Sequence, residues 1–263
     1  MSRHPLLEIE DMSISFGGVK AVDGLSLAVE QGAIVGLIGP NGAGKTTVFN
    51  CIARYYQPNS GAIRFDGQDL LSARPHDVLP RGIARTFQNM ELFRSMTVQD
   101  NLLVGQHCQM TSGFWGAAFS LPGSRQSEAE VRKRAGAVMD RFGLAPHAHA
   151  IVSSLPYGLQ KLVEFGRALV SKPRLILLDE PAAGLNPSET RELTDLIRKL
   201  RDEDGMTVLL VEHDMGLVRS VCDGIYVMDF GRRIAHGSPA EISRDPLVIE
   251  AYLGKQEPEH AAA

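Results

Sequence analysis

The stretch Gly39-Pro40-Asn41-Gly42-Ala43-Gly44-Lys45-Thr46-Thr47 fits the spacing G-x-x-x-x-G-K-[ST] without a gap. Its glycines let the backbone curl so that successive N–H groups point inward, and Lys45 adds a positive charge that can reach forward. A helix starting there would add partial positive charge at its N-terminus, so the loop suits a polyphosphate. Thr46 is placed to give its hydroxyl to Mg²⁺, which takes octahedral oxygen ligands and shares them with phosphates. The bland alternative is a glycine-rich turn with an accidental lysine. Against it stand the apolar run Ala33 to Ile38 before the loop and the helix-compatible segment Val48 to Arg54 after it, which read as strand, loop and helix.

A second signal is Asp179-Glu180, at the end of the apolar run Leu175 to Leu178. An acidic residue at the C-terminal end of a buried parallel strand lies where open α/β sheets bind ligands, which makes Asp179 a support for Mg²⁺. Pro181 bends the chain after Glu180, whose carboxylate could face a terminal phosphate and orient or deprotonate water. Two solvated acids in a capped loop are the alternative. His213 stands just past the next apolar run, Val208 to Val211; a lone histidine is usually structural, and Asp214 beside it reads as a helix N-cap. Gln88, at the end of the segment Gly82 to Phe87, offers an amide oxygen suited to Mg²⁺ or water. Phe16 precedes Gly17-Gly18 and is either a core aromatic, which composition favours, or a ring left exposed to stack on a flat ligand.

These residues need a scaffold that brings distant segments together. With 44% hydrophobic and 22% charged residues, the 263-residue chain is globular and long enough for one large domain with a sublobe. Its net charge of −4 gives no bulk electrostatic case for nucleic acid as partner. Cys51, Cys108 and Cys222 are odd in number and set among apolar residues, which favours buried thiols in a reducing compartment. The N-terminus lacks an apolar core of the signal-peptide kind, and no run approaches the ~20 apolar residues of a membrane span, so the chain is expected to be cytosolic or peripheral to a membrane.

Alternation predicts β-strands at 7–10, 12–16 and 25–29, a turn at 58–61 and a strand at 62–67. From 89 to 162 the chain reads mostly as helices and loops, including an amphipathic segment from Glu128 to Phe142; the apolar stretch Gly113 to Phe119, which holds the one Trp of the sequence, is either a packed loop or a partner-contact surface. The runs 174–179 and 207–211 read as parallel strands covered on both faces. Between them Leu193, Leu196, Ile197 and Leu200 mark a helix, with Asn186 as N-cap, Pro187 at the first position and Glu189 completing a capping box. A hairpin over 223–237 and short helices over 238–253 complete an α/β domain with a mostly parallel core sheet; 257–263 is expected to fray.

Taken in order, Phe16, Gly39 to Thr46, Gln88, Leu155-Pro156-Tyr157-Gly158-Leu159-Gln160, Leu175 to Glu180, Gly184-Leu185-Asn186 and His213 resemble the A-loop, Walker A, Q-loop, signature, Walker B, D-loop and switch histidine of ABC-transporter ATP-binding subunits. More narrowly, Arg85-Thr86-Phe87-Gln88-Asn89, Asp179 to Pro187, Glu212-His213-Asp214-Met215 and Ala251-Tyr252-Leu253-Gly254 look like the branched-chain amino acid importer type. The resemblance implies a P-loop NTPase fold with an N-terminal antiparallel β-subdomain and a helical subdomain inserted after the Q-loop. A single domain is expected, with 1–88 and 163–253 as ATP-binding core, 89–162 as helical subdomain and 254–263 as a flexible tail.

The resemblance further implies ATP and Mg²⁺ as ligands. Phe16 becomes the adenine-stacking ring, with Val22 joining it among the nucleotide-binding positions, while Thr46 and Gln88 ligate Mg²⁺ with Asp179 behind. Glu180 acts on water, His213 holds the γ-phosphate, and Lys45 and the loop amides stabilise phosphate charge. Pro156, Tyr157, Gly158, Leu159 and Gln160 close over the nucleotide of a second ATP-binding subunit, the same or a sister chain. The implied partners are integral-membrane permease subunits and, indirectly, a periplasmic or lipoprotein solute-binding protein, with the chain peripheral on the cytoplasmic face of the inner membrane.

The signature departs from the family pattern. Pro156 and Tyr157 replace Ser and Gly, and Leu159 replaces Gln. Pro156 has neither hydroxyl nor N–H, so the phosphate contact of the family serine is missing or comes from elsewhere, such as the Gly158 amide, and weaker closure is expected. The alternatives to a branched-chain importer are a urea, amide or lipid transporter, a soluble ABC-type ATPase acting in assembly, and a non-catalytic binding module, the last disfavoured by Lys45, Glu180 and His213.

Overall fold

The computed structural model describes residues 5–86, 91–105 and 122–253. The positions Cys108 and Gln88, the loop Gly113 to Phe119 and the tail 254–263 lie outside the described residues. The chain opens with two long antiparallel strands, β1 (Leu7–Phe16) and β2 (Val19–Val29), joined through Gly17-Gly18. Leu7, Ile9, Met12 and Ile14 of β1 are buried, with an interruption at Asp11 (φ 45°), whose N–H donates to Ser26 Oγ at 2.9 Å. This bulge unites the two segments that alternation kept apart into one strand. Next come β3 (Ile34–Ile38), α1 (Lys45–Ile52), β4 (Ser60–Phe65) and the short β5 (Gln68–Asp69), giving a four-stranded sheet ordered β2-β1-β4-β5. β4 begins inside the expected turn 58–61 because Ser13 and Asn59 extend the pairing: Asn59 N–H donates to Ser13 O at 2.8 Å, and Asn59 Oδ1 accepts from Ser15 N–H at 2.7 Å.

After α2 (Pro75–Val78) and β6 (Ile83–Arg85) come α3 (Val98–Val104), α4 (Pro122–Arg141), α5 (Tyr157–Leu169), β7 (Leu175–Asp179), α6 (Pro187–Asp204), β8 (Thr207–Val211), α7 (Met215–Val221), β9 (Gly224–Asp229), β10 (Arg232–Gly237), α8 (Pro239–Ile242) and α9 (Pro246–Leu253). The second sheet runs β10-β9-β3-β8-β7-β6, parallel throughout except for the β9–β10 hairpin. Helix α6 starts as its sequence predicts. Asn186 Oδ1 accepts from the N–H groups of Ser188 and Glu189 at 2.9 and 3.0 Å, and Glu189 Oε2 returns the contact to Asn186 N–H at 2.9 Å, a reciprocal cap contributing about 1 kcal/mol.

The parallel strands are apolar on both faces because each face supplies a different core. Val35, Leu37, Leu175, Leu177, Leu209 and Val211 turn toward the antiparallel sheet and the inner face of α1, packing on Phe49, Ile52, Leu25 and Ile63. Their sequence neighbours Ile34, Ile38, Ile176, Leu178, Val208 and Leu210 enter the opposite core, which contains Val98 and Leu102 of α3, Ala135 and Met139 of α4, Val163 of α5 and Ile197 of α6. The amphipathic segment from Glu128 to Phe142 thus turns Val131, Ala135 and Phe142 inward, with the Phe142 ring edge-on to Phe165 at 5.5 Å. The helices after β6 share this core with the sheet itself.

Candidate functional site

Parallel strands align their C-terminal ends, and here that alignment gathers the candidate residues. The phosphate loop follows β3, Asp179-Glu180 ends β7, Glu212-His213 follows β8 and Thr86 follows β6, all on one edge of one sheet. Within the loop, two glycines are dictated by close approach. A Cβ on Gly39 (φ 150°) would lie 2.0 Å from the Met228 carbonyl oxygen, and one on Gly44 (φ 100°) 2.3 Å from that of Ala21. The loop is therefore pressed between β2 and the end of β9, and Gly231 N–H fastens it by donating to the Ala43 carbonyl at 3.1 Å.

Gly44 is the N-cap of α1, which has no side-chain cap and no acidic residue in its first turn. The N-terminal charge of the helix is thus left for an anion. Lys45 is buried, its Nζ donating to the carbonyls of Gly39 at 2.7 Å and Pro40 at 2.9 Å. Thr46 is exposed on the first turn, Asn41 and Gly42 are exposed in the loop, and Pro40 and Ala43 are buried beneath it.

Asp179 is 1% exposed. Its Oδ2 accepts from Arg85 Nη2 at 2.9 Å, while Arg85 Nη1 donates to Asn50 Oδ1 of α1 at 2.6 Å. Burial holds the Asp179 carboxyl above its ordinary range, outweighing the lowering effect of the Arg85 hydrogen bond and charge and of the Lys45 charge, with the Glu180 charge adding to the rise. The second oxygen, Oδ1, is buried with no hydrogen-bond partner. An orphaned carboxylate oxygen behind the phosphate loop is what a hydrated divalent cation would satisfy, so the donor set fits Mg²⁺. Glu180 follows in a left-handed conformation (φ 49°), rare for a non-glycine residue and costing about 1 kcal/mol. Its N–H donates to the Val211 carbonyl at 2.8 Å, so the strained turn is held by the neighbouring strand.

Glu212 carries a role that the sequence reading did not assign. Its carboxylate is 1% exposed; Oε1 accepts from Ala182 N–H at 2.8 Å, and Oε2 accepts from the N–H groups of His213 and Asp214 at 3.0 and 3.3 Å. One buried anion thereby ties the turn after β7 to the turn after β8. The His213 side chain is exposed, with Nδ1 3.8 Å from Glu212 Oε2. Arg85 and Asn50 are likewise residues that sequence reasoning left without a role. Arg85 and Glu212 are visible in the sequence as charges adjoining apolar strands and as members of the importer-type motifs, but neither signal names the contact each one makes.

At the far side of the loop, Phe16 ends β1 and is 45% exposed, its ring 5.1 Å from Tyr56 in an edge-to-face arrangement. Composition had favoured a core position for this ring; instead one aromatic edge is fixed by Tyr56 and much of the rest faces solvent. Val22, on the same hairpin, is fully buried, with Cγ2 3.3 Å from where a Cβ on Gly44 would stand, so it packs beneath the loop.

The signature positions form the start of α5. Pro156 is its N-cap (φ −53°, ψ 151°) with no side-chain cap, Tyr157 is exposed, and Gly158, Leu159 and Gln160 are half-buried. Gln160 Nε2 donates back to the Leu155 carbonyl at 2.8 Å, closing the turn. Contacts of this turn run to Ala183, Gly184 and Glu189, at the start of α6.

Comparison with known proteins agrees with this geometry. Residues 22–183 match the ABC transporter family, and residues 232–258 match the branched-chain amino acid ATP-binding cassette transporter family. The chain is 46% identical to the high-affinity branched-chain amino acid transport ATP-binding protein BraF of Pseudomonas aeruginosa, over 97% of this chain and 100% of that one. It is 45% identical to the corresponding protein LivG of Escherichia coli, over 95% of this chain and 98% of that one. Among solved structures, the ADP conformation of an ATP-binding cassette of an ABC transporter superposes with a TM-score of 0.84 at 32% identity, covering 95% of this chain and 99% of that one.

Proposed function

The chain belongs to the ABC transporter ATP-binding family, and from that membership we propose that it is the ATP-hydrolysing subunit of an importer of branched-chain amino acids. The observation that carries the reading is the pairing of a buried Asp179, one oxygen unsatisfied, with Glu180 held in a strained turn on the sheet edge that carries the phosphate loop. The transport role follows from the relatives, BraF and LivG, whose lengths the chain matches nearly end to end.

In this reading the loop amides and Lys45 bind the β- and γ-phosphates of the substrate ATP, and Phe16 stacks on its base. Asp179 and Thr46, with Gln88, would hold Mg²⁺, which when bound would supply positive charge against the phosphates. Glu180 orients water and takes its proton; His213, positioned through Glu212, contacts the γ-phosphate. A second cassette completes the site through its own signature turn, and membrane permease subunits convert closure into transport. In the same reading the chain attaches to the cytoplasmic face of the inner membrane through those subunits; among the described residues no helix is long and apolar enough to cross a membrane.

Glu180→Gln is the test: the variant should bind ATP with parental affinity and fail to turn over. Hydrolysis at the parental rate would remove Glu180 as the base. Purification from membranes should bring down two multi-spanning partners, and a soluble partner in their place would overturn the transport role.

A further inference from the structure

Tyr157 stands where the family pattern has a glycine, and its side chain is directed to this chain's own Ala183-Gly184 segment. Its Oη donates to the Ala183 carbonyl at 3.2 Å. Its ring covers Gly184, where a Cβ would lie 2.9 Å from Cε1, and Gly184 has φ 78°. One residue along, a Cβ on Gly158 would lie 2.4 Å from Oε1 of Glu189, the same Glu189 that caps Asn186. The start of α5 and the segment 183–189 therefore interlock at two points, each placing a glycine against a larger side chain.

The interlock continues to the catalytic turn. Ala183 N–H donates to the Glu180 carbonyl at 3.1 Å, and Ala182 N–H donates to Glu212 Oε1 at 2.8 Å. The Ala183 peptide is thus held on its N–H side by Glu180 and on its carbonyl side by Tyr157. Because Glu180 sits at φ 49°, its turn must be over-determined by its surroundings to persist, and the tyrosine hydroxyl is one of the groups that does so. The ring itself is fixed by the glycine face beneath it and by Lys161, whose Nζ lies 6.0 Å from its centroid.

We propose that Tyr157 is a positioning residue for hydrolysis: it fastens the signature turn to the Glu180 turn of the same chain, so that movement of one repositions the other. The functional half rests on the proposed ATPase reading; the clasp itself does not. The departure from glycine at this position is then a gain of an internal contact, in addition to the loss of the family hydroxyl at Pro156.

Hydrogen exchange on the full-length chain without nucleotide, together with steady-state hydrolysis, tests both halves. Tyr157→Phe, which keeps the ring and removes the hydroxyl, should speed exchange of the amides of 183–186 about five-fold, as expected for one hydrogen bond, and lower kcat by a similar factor with KM for ATP within about two-fold. Gly184→Ala should speed the same amides, and adding it to Tyr157→Ala should give less than its effect in the parent, since the ring it displaces is gone. Unchanged exchange at 183–186 in both Tyr157→Phe and Tyr157→Ala overturns the clasp, including the case in which kcat falls because the tyrosine acts on a second chain directly. Faster exchange with parental kcat overturns the positioning role. A parent protein without ATPase activity would instead contradict the proposed function, and the exchange result would still decide the clasp.

Discussion

Arg85 Nη2 and Asp179 Oδ2 lie 2.9 Å apart, in side chains 10% and 1% exposed, so the acid of the site is neutralised from the strand beside it. Removing one partner of a buried pair strands the other charge. Arg85→Ala should therefore lower stability by about 3–5 kcal/mol in denaturant unfolding. Arg85→Ala combined with Asp179→Asn should recover part of that loss, because the neutral amide carries a smaller burial cost. Equal destabilisation of single and double variants would show that the guanidinium acts through contacts other than Asp179, such as Asn50 Oδ1 and the Phe49 ring, whose centroid lies 5.7 Å from Cζ.

Glu212 accepts three backbone N–H groups from two turns. In Glu212→Gln one end of the side chain becomes a donor facing donors. We expect a loss of about 1.5–3 kcal/mol in stability, by the cost of a hydrogen bond to a charged group, and a fall in kcat larger than any change in ATP affinity. Nucleotide titration beside single-turnover kinetics separates the two quantities.

Phe16→Ala should weaken ATP binding roughly 5- to 150-fold, the range for loss of one base–aromatic stack, while Phe16→Trp should keep it. Fluorescence titration with a labelled ATP analogue measures this. Tyr56, edge-on to Phe16, should show a smaller effect when changed to Leu.

Burial pushes the Cys51 thiol up to about 11 and the Cys222 thiol up to about 12. Both groups are therefore protonated at pH 8, where the thiolate is the reactive form. A Cys108→Ser variant should give no reaction with a thiol reagent while native, and two equivalents once unfolded.

Pro156→Ser would place a hydroxyl at the N-cap of α5, where no side chain caps the helix. We expect about 1 kcal/mol of added stability from the cap. The same hydroxyl should raise ATP-dependent closure, seen as faster hydrolysis; a parental rate would mean that the Gly158 amide already supplies the contact.

Much of the site was legible because its parts are local. The loop 39–47, the acid pair after Leu178 and the Asn186 capping box each consist of neighbouring residues whose meaning depends on spacing alone. Arg85, Asn50 and Glu212 were not legible, since their roles exist only once β6, β7 and β8 lie side by side. The strand start at Ser60 failed for a related reason: a proline and asparagine cluster signals a turn, yet pairing with Ser13 overrides it. Phe16 shows the opposite limit, since composition placed its ring inside and only the ordered motif series pointed outward.

The partners of strand Ile34–Ile38 are Val208–Val211 and Gly224–Val227, which emerge from the ribosome far later. At 5–20 residues per second the strand that carries the phosphate loop waits roughly 10–40 s for either neighbour. Throughout that interval an apolar, edge-exposed segment has no sheet to join, and its glycine loop has no Met228 carbonyl to press against. The strand that carries the phosphate loop is thus completed only by the last third of the chain, and truncations before residue 224 should yield aggregates in place of a smaller nucleotide-binding domain.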